Sequence, residues 1–198
     1  MAELTFQLKP APPFRLDMTA WALRRRQENQ IDLWDGRFYR RLFFVTQVPI
    51  LVSVRQIGPV DKPRLEITAV SKQSMGKHKD ALAAVLERTL GLRTDLRLFY
   101  ELAAPHPKIG ALVRRFVGFR PPRFPTVFEA LANAIACQQL SLTVGIILLN
   151  RLARAHERGS ATGFQTPLAF PSPEQVAKAD PEQLRALGLS RQKARALI

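Results

Sequence analysis

The 198-residue sequence holds a single cysteine, Cys137. No internal disulfide framework is available to it, and no cysteine-rich metal or iron–sulfur site. Its three histidines, His78, His106 and His156, are too scattered in sequence to suggest a zinc centre. There is no Ser-His-Asp spacing, no Walker loop and no G-x-G-x-x-G run. The N-terminus, MAELTFQLKP, lacks the basic and then apolar pattern of a secretory leader. No apolar run approaches the roughly 20 residues that a membrane helix needs. These readings lead to the expectation of a cytoplasmic chain with no membrane partner. Acidic residues are also scarce. There are 16 Asp and Glu against 30 Lys and Arg, and none follows Glu182. The acids that remain form no evident catalytic pair.

The imbalance gives a net charge of +14 and a pI near 11.1. Such a surplus suits a polyanion, whether DNA, RNA or an anionic membrane surface. Apolar residues make up 46% of the chain, enough for one sizeable core or two small packed lobes.

The first third reads as sheet. Thr5 to Leu8 alternates apolar and polar residues, and the PAPPF that follows imposes a bend. Asp17 or Thr19 is positioned to cap a short helix through Trp21 and Leu23. IDLW before Asp35-Gly36 signals a two-residue hairpin turn. RFYRRLFFV, ILVSVRQ and RLEITAV complete a set of five strands at antiparallel spacing. From about Lys72 the character changes. DALAAVLERTL is helical, with Leu82, Val85, Leu86 and Thr89 on one face and Gly91 as its stop. RLFYELA and KIGALVRRFV follow as further helical turns. GFRPPRFP, at 118–125, reads as a linker, so a sheet-plus-helix domain is expected over 1–117 and a helical domain over 126–198.

The helical part has strong punctuation. Thr126 and Glu129 form a T-x-x-E capping box. Phe128, Leu131, Ala132 and Ile135 mark one face of the helix they open. Ser141 caps the next helix, whose face is Leu142, Ile146, Leu149 and Leu152. SPEQVAKA and DPEQLRAL repeat one syntax: a cap, Pro at the first helical position, Glu in the first turn, Gln at the third position. Gly188 ends the second of these, and Ser190 caps a last helix.

The segment NAIACQQLSL, 133–142, poses a problem, because glutamine has no special role in ending helices. Helical spacing carries Gln138 and Gln139 to the rim of a helical hairpin, on an extension of the apolar face. Two uses are open to them there. Their amides bond the turn backbone and the exposed helix carbonyls, or one of them reads a ligand such as a base edge or a gap in a base stack. Cys137 reads as a small buried hydrophobe. Trp21 and Trp34 read as core anchors, with Trp21 also a base-stacking candidate because arginines flank it. Basic groups cluster at Arg24–Arg26, at Arg40–Arg41, along Lys72, Lys77 and Lys79, and at Arg114–Arg115 with Arg120 and Arg123.

The order of these features resembles the DNA-3-methyladenine glycosylase II family, the AlkA-like branch of the helix-hairpin-helix DNA glycosylases. PTVFEALANAIACQQLSLTVGIILLNRLA resembles that family's first helical-domain hairpin. FPSPEQVAKADPEQLRALGLSRQKARALI is similar to the segment before its DNA-binding hairpin, and the front end is like its N-terminal sheet. The resemblance implies an α+β fold: a small TBP-like antiparallel sheet with helices, then an all-α glycosylase domain. It also implies hydrolysis of the N-glycosidic bond of alkylated purines in double-stranded DNA, with no cofactor and no metal, by a monomer. Gln139, with Gln138 and Leu140 beside it, falls where the family inserts a wedge into the duplex. Arg24, Arg25, Arg120, Arg123, Arg191 and Lys193 are the candidates for contact with the DNA backbone. The family's Gly-x-Gly hairpin and catalytic Asp have no counterpart in this sequence. The expectation is therefore a C-terminally truncated glycosylase with no catalytic residue of its own, inactive alone. A non-enzymatic DNA-binding protein on the same scaffold is the alternative, and a basic RNA-binding protein a more distant one.

Overall fold

The structure is a computed structural model that describes residues 1–121, 123–157 and 166–198. Pro122, inside the linker expected at 118–125, lies outside the described residues.

Five antiparallel strands form one sheet: β1 (Ala2–Leu8), β2 (Leu33–Trp34), β3 (Tyr39–Val45), β4 (Val48–Gln56) and β5 (Leu65–Ser71). Their spatial order is β1-β5-β4-β3-β2. The β3–β4 connection is a tight turn at Thr46 and Gln47, both with positive φ (48° and 67°), the geometry that suits the twist of a two-residue hairpin. The Asp35-Gly36 turn differs from the expected two-residue form. The Asp35 carboxylate accepts from the Arg37 and Phe38 amides and spreads the turn over four residues.

Alternation along the strands puts one face of the sheet in the dry. Phe43, Ile50, Val52, Val54, Leu65 and Ile67 are buried there. Two helices cover that face. Helix α1 (Leu16–Arg24) contributes Leu16, Ala20 and Leu23, and α2 (Lys79–Thr89) contributes Leu82 and Leu86. Each fully buried aliphatic side chain of this kind contributes about 1.5–3 kcal/mol. Neither Asp17 nor Thr19 caps α1. Its first residue, Leu16, instead donates its amide to the Gln56 side chain of β4, which also donates to the Phe14 carbonyl. Short helices α3 (Arg97–Ala103) and α4 (Gly110–Arg115) lead out of this lobe.

The second core is helical. Helices α5 (Val127–Cys137) and α6 (Leu142–Ala155) form a hairpin, followed by α7 (Pro173–Val176), α8 (Pro181–Ala186) and α9 (Arg191–Leu197). The two repeated caps form as the sequence implies. Ser172 with Gln175 and Asp180 with Gln183 are complete capping boxes, each with Pro in the first turn. Ser141 caps α6 and Ser190 caps α9. Leu149, Leu152, Val176, Leu184, Ala194 and Leu197 share the core.

The α5 face departs from expectation. Leu131 is 57% exposed, whereas Ala132, Asn133 and Ala136 are buried. Glu129 explains the rotation. It makes only half of the capping box: Thr126 accepts its amide, while its carboxylate turns inward to Arg41 of β3. Close packing of α5 on α6 comes from Gly145. A methyl group there would lie 2.5 Å from the half-buried Cys137 sulfur and 3.0 Å from its Cα. No helix among the described residues is long and apolar enough to cross a membrane.

Candidate nucleic-acid interface

The hairpin tip is residues 138–141. Helix α5 stops at Cys137, and Gln138 leaves it with an extended backbone (ψ 133°). Gln139 then takes a left-handed conformation, φ 53°. That costs an ordinary residue about 1–2 kcal/mol, so the surroundings must hold it. The apolar helical spacing therefore does not carry through Gln139 as expected. Gln138, Gln139, Leu140 and Ser141 are all exposed, Leu140 by 44%. Among the described residues, the side-chain amides of Gln138 and Gln139 have no hydrogen-bond partner. The use in which they bond the turn is thus not the one adopted.

What holds the tip comes from α9. The Lys193 ammonium donates to the Ala136 carbonyl (3.0 Å) and the Gln138 carbonyl (2.7 Å). The expectation for Lys193 is the DNA backbone; its charge is instead bound to the end of α5. Arg191, two residues earlier, is exposed.

The segment 24–31 is brought beside this hairpin and knits the two lobes. Asn150 of α6 donates to the Glu28 carbonyl (2.6 Å) and accepts from the Gln30 amide (3.1 Å). Ile31 is buried in the helical core. Arg24, Arg25 and Arg26 then border a cleft of about 510 Å3 with Trp21 and Thr143, the latter in the first turn of α6. Their roles differ. Arg24 donates to the Trp34 carbonyl (3.1 Å). Arg25 donates to Asn133 Oδ1 (2.7 Å) and stacks over Phe124, 5.7 Å from the ring centre. Arg26 is exposed. Arg24 and Arg25 thus shape the cleft, and Arg26 is the cation it leaves to solvent.

Arg120 is a correction. It is completely buried, donates to the Ala11 carbonyl (2.8 Å) and packs against Phe14. It cannot meet a phosphate there. Arg123 is exposed. Trp21 is a second correction, to its reading as a core anchor: it is 66% exposed. With Trp34, Phe99, Tyr100, Phe116 and Phe119 it lines an open apolar cavity of about 1050 Å3 between α1 and the α3–α4 pair.

Behind the interface lies a buried charge cluster whose partners are far apart in the sequence. Arg41, 2% exposed, bonds Asp32 (2.6 Å) and Glu129 (2.5 Å), and the Tyr39 hydroxyl donates to Asp32 (2.7 Å). It joins β3 to the first turn of α5. Burial pushes the Glu129 carboxyl above its ordinary range; Arg41 opposes this and Asp32 adds to it. Two carboxylates against one bonded guanidinium leave the cluster with surplus negative charge, which Arg25 offsets in part by its pull on Glu129. Among the described residues no group of three or more His, Cys, Asp or Glu is placed to hold a metal ion.

A solved 3-methyladenine DNA-glycosylase from Archaeoglobus fulgidus superposes with a TM-score of 0.77, covering 97% of this chain and 64% of that one; at 23% identity this likeness is one of fold. Residues 132–198 match the HhH-GPD superfamily of base excision DNA repair proteins. It is 36% identical over 106 residues to DNA-3-methyladenine glycosylase 2 of Escherichia coli, covering 52% of this chain and 37% of that protein. It is 25% identical over 120 residues to DNA-3-methyladenine glycosylase of Bacillus subtilis, covering 61% and 40%. The chain thus spans about two-fifths of the length of these curated relatives.

Proposed function

We propose that this chain is the duplex-gripping and lesion-exposing part of a DNA glycosylase that removes alkylated purines. The observation that carries the reading is the hairpin tip. Gln139 takes a left-handed conformation at an exposed tip, and Thr143, in the first turn of the helix that follows, lines the cleft that presents Arg26. A firmly held polar wedge next to a cation suits a duplex from which one nucleotide has been extruded. The wedge fills the vacated stack, and the cation meets the backbone of the distorted strand. Gln138 and Leu140 flank the wedge, and Arg123 and Arg191 add exposed positive charge. Trp21 is the aromatic surface nearest the arginine cleft on which a base could stack.

Chemically, an alkylated purine that carries positive charge is already a fair leaving group. What remains is to hold the sugar and stabilise its oxocarbenium-like form with a carboxylate. The buried acids beside the hairpin, Asp32 and Glu129, are committed to Arg41 and cannot do this. These two acids serve the fold, Glu28 on the arginine cleft is exposed, and the reading assigns to these residues binding and base exposure. Double-stranded DNA is the partner, no cofactor is called for, and the working form is a monomer in the cytoplasm or on the nucleoid.

The test is Gln139→Ala. The substitution should leave the fold intact and weaken binding to a duplex with an abasic-site analogue more than binding to intact duplex. Equal loss on both duplexes would remove the wedge role.

A further inference from the structure

Lys193 lies about fifty residues beyond the hairpin, yet its ammonium ends on the last carbonyls of α5. We infer that Lys193 is a positioning residue for the wedge, fixing the peptide plane from which Gln139 projects. This rests on the wedge reading given above.

The geometry is specific. The Gln138 carbonyl and the Gln139 amide belong to one planar peptide unit. Holding that carbonyl at 2.7 Å from a cation fixes the plane on which φ of Gln139 turns. The second bond, to the Ala136 carbonyl at 3.0 Å, ties the same ammonium to the final turn of the helix. Both acceptors are at a helix C-terminus, where carbonyls lack intrahelical partners and a positive charge is favoured by the helix dipole. The lysine is itself anchored. Ser190 caps α9, and Ala194 and Leu197 are buried against the helical core. The chain thus places a rigid cationic post under a turn whose one strained residue carries the exposed amide.

The consequence concerns selectivity more than affinity. With the post in place, Gln139 is already in its inserting conformation. Without it, the tip samples other backbone states and must be ordered when it enters the duplex. Fixing one residue's backbone is costly enough that the loss should be about five- to thirtyfold in affinity. It should appear on the gapped duplex, where the wedge inserts, and hardly on intact duplex.

Affinities are to be measured for a duplex with a tetrahydrofuran abasic analogue and for the matched intact duplex. The proteins are wild type, Lys193→Met, Lys193→Arg, Gln139→Ala and the double variant Lys193→Met/Gln139→Ala. Lys193→Met should lower the preference for the abasic duplex about five- to thirtyfold. Lys193→Arg, which keeps a cation and several donors, should restore most of it. In the Gln139→Ala background, Lys193→Met should change the preference no further, because the group it orients is gone. If Lys193→Met does not fold, Lys193→Gln takes its place, being neutral and too short to reach both carbonyls, with the same loss expected. Equal weakening on both duplexes, or a loss that persists in the Gln139→Ala background, would show that Lys193 merely supports the fold and would overturn the inference. A wild-type chain without preference for the abasic duplex would instead sink the wedge reading itself. A preference lost in Gln139→Ala but kept in Lys193→Met would sink only the role of Lys193.

Discussion

Replacing Arg41 by methionine tests how the two lobes are joined. Arg41 is 2% exposed and is the cation between Asp32 and Glu129. Methionine fills similar space but leaves two buried carboxylates facing each other. Removing one partner of a buried ion pair costs about 3–5 kcal/mol. For a chain of this size each kcal/mol lowers the melting temperature by about 2–4 °C, so Arg41→Met should melt roughly 6–20 °C below wild type. Glu129→Gln should behave differently. The glutamine oxygen still accepts from Arg41, and Asp32 still supplies the counter-charge, so the cost should stay near about 1 kcal/mol. The pH dependence gives the sharper check. The folded-state pKa of Glu129 is raised by burial. Its contribution is therefore complete below the ordinary glutamate value, about 4.3, and is lost as pH rises through the folded value. The amide introduced by Glu129→Gln cannot ionise, so wild type should lose ground to this variant as pH rises from about 4 towards neutrality. The Arg41→Met deficit should be largest near neutral pH and shrink as pH falls, because burial already raises Glu129 and its stranded carboxylate takes up a proton. Urea denaturation of the three proteins across this pH range measures all of this. A Glu129→Gln variant as unstable as Arg41→Met, or an Arg41→Met deficit flat with pH, would refute the surplus-charge account.

Arg120 and Arg123 should separate stability from binding. Arg120→Met should lower the melting temperature while leaving the salt dependence of DNA binding unchanged, and Arg123→Ala should do the reverse, as thermal scans beside DNA titrations would show. Gly145→Ala should cost about 1–3 kcal/mol by forcing α5 from α6, with Cys137→Ala in the same chain recovering part of that loss in urea melts. Duplex affinity should fall on the order of a hundredfold or more between 50 and 200 mM salt, and a flat log–log slope would remove the electrostatic reading of the +14 charge. Purified as 198 residues, the chain should release no 3-methyladenine from alkylated DNA, and release by it would place a catalytic carboxylate among its own acids, Glu28 on the arginine cleft included.

Local signals were legible where one residue acts on its own neighbours. The paired Ser172–Gln175 and Asp180–Gln183 caps, the Ser141 and Ser190 caps and the strand alternations follow from chemistry within a few residues. What leaves no local mark is a side chain that acts across the chain. The adjacent pair Arg40–Arg41 reads as surface charge. Yet Tyr39, Arg41, Phe43 and Val45 alternate on one face of β3, and that period already put Arg41 in the dry. A guanidinium on a buried face demands carboxylates, and Glu129, read only as a cap, was one of them. The same holds for Lys193 and Arg120, whose partners are backbone carbonyls at 57 and 109 residues' separation, with no mark in the sequence. Net charge therefore overstated what is free to meet a phosphate. Of the six cations first assigned to DNA, Arg120 and Lys193 are bound to carbonyls and Arg24 and Arg25 are spent shaping the cleft. Arg123 and Arg191 stay exposed, joined by Arg26, which that set left out. A basic composition argues for a polyanion. Which cations meet it is decided by the buried carbonyls and carboxylates that claim the others first.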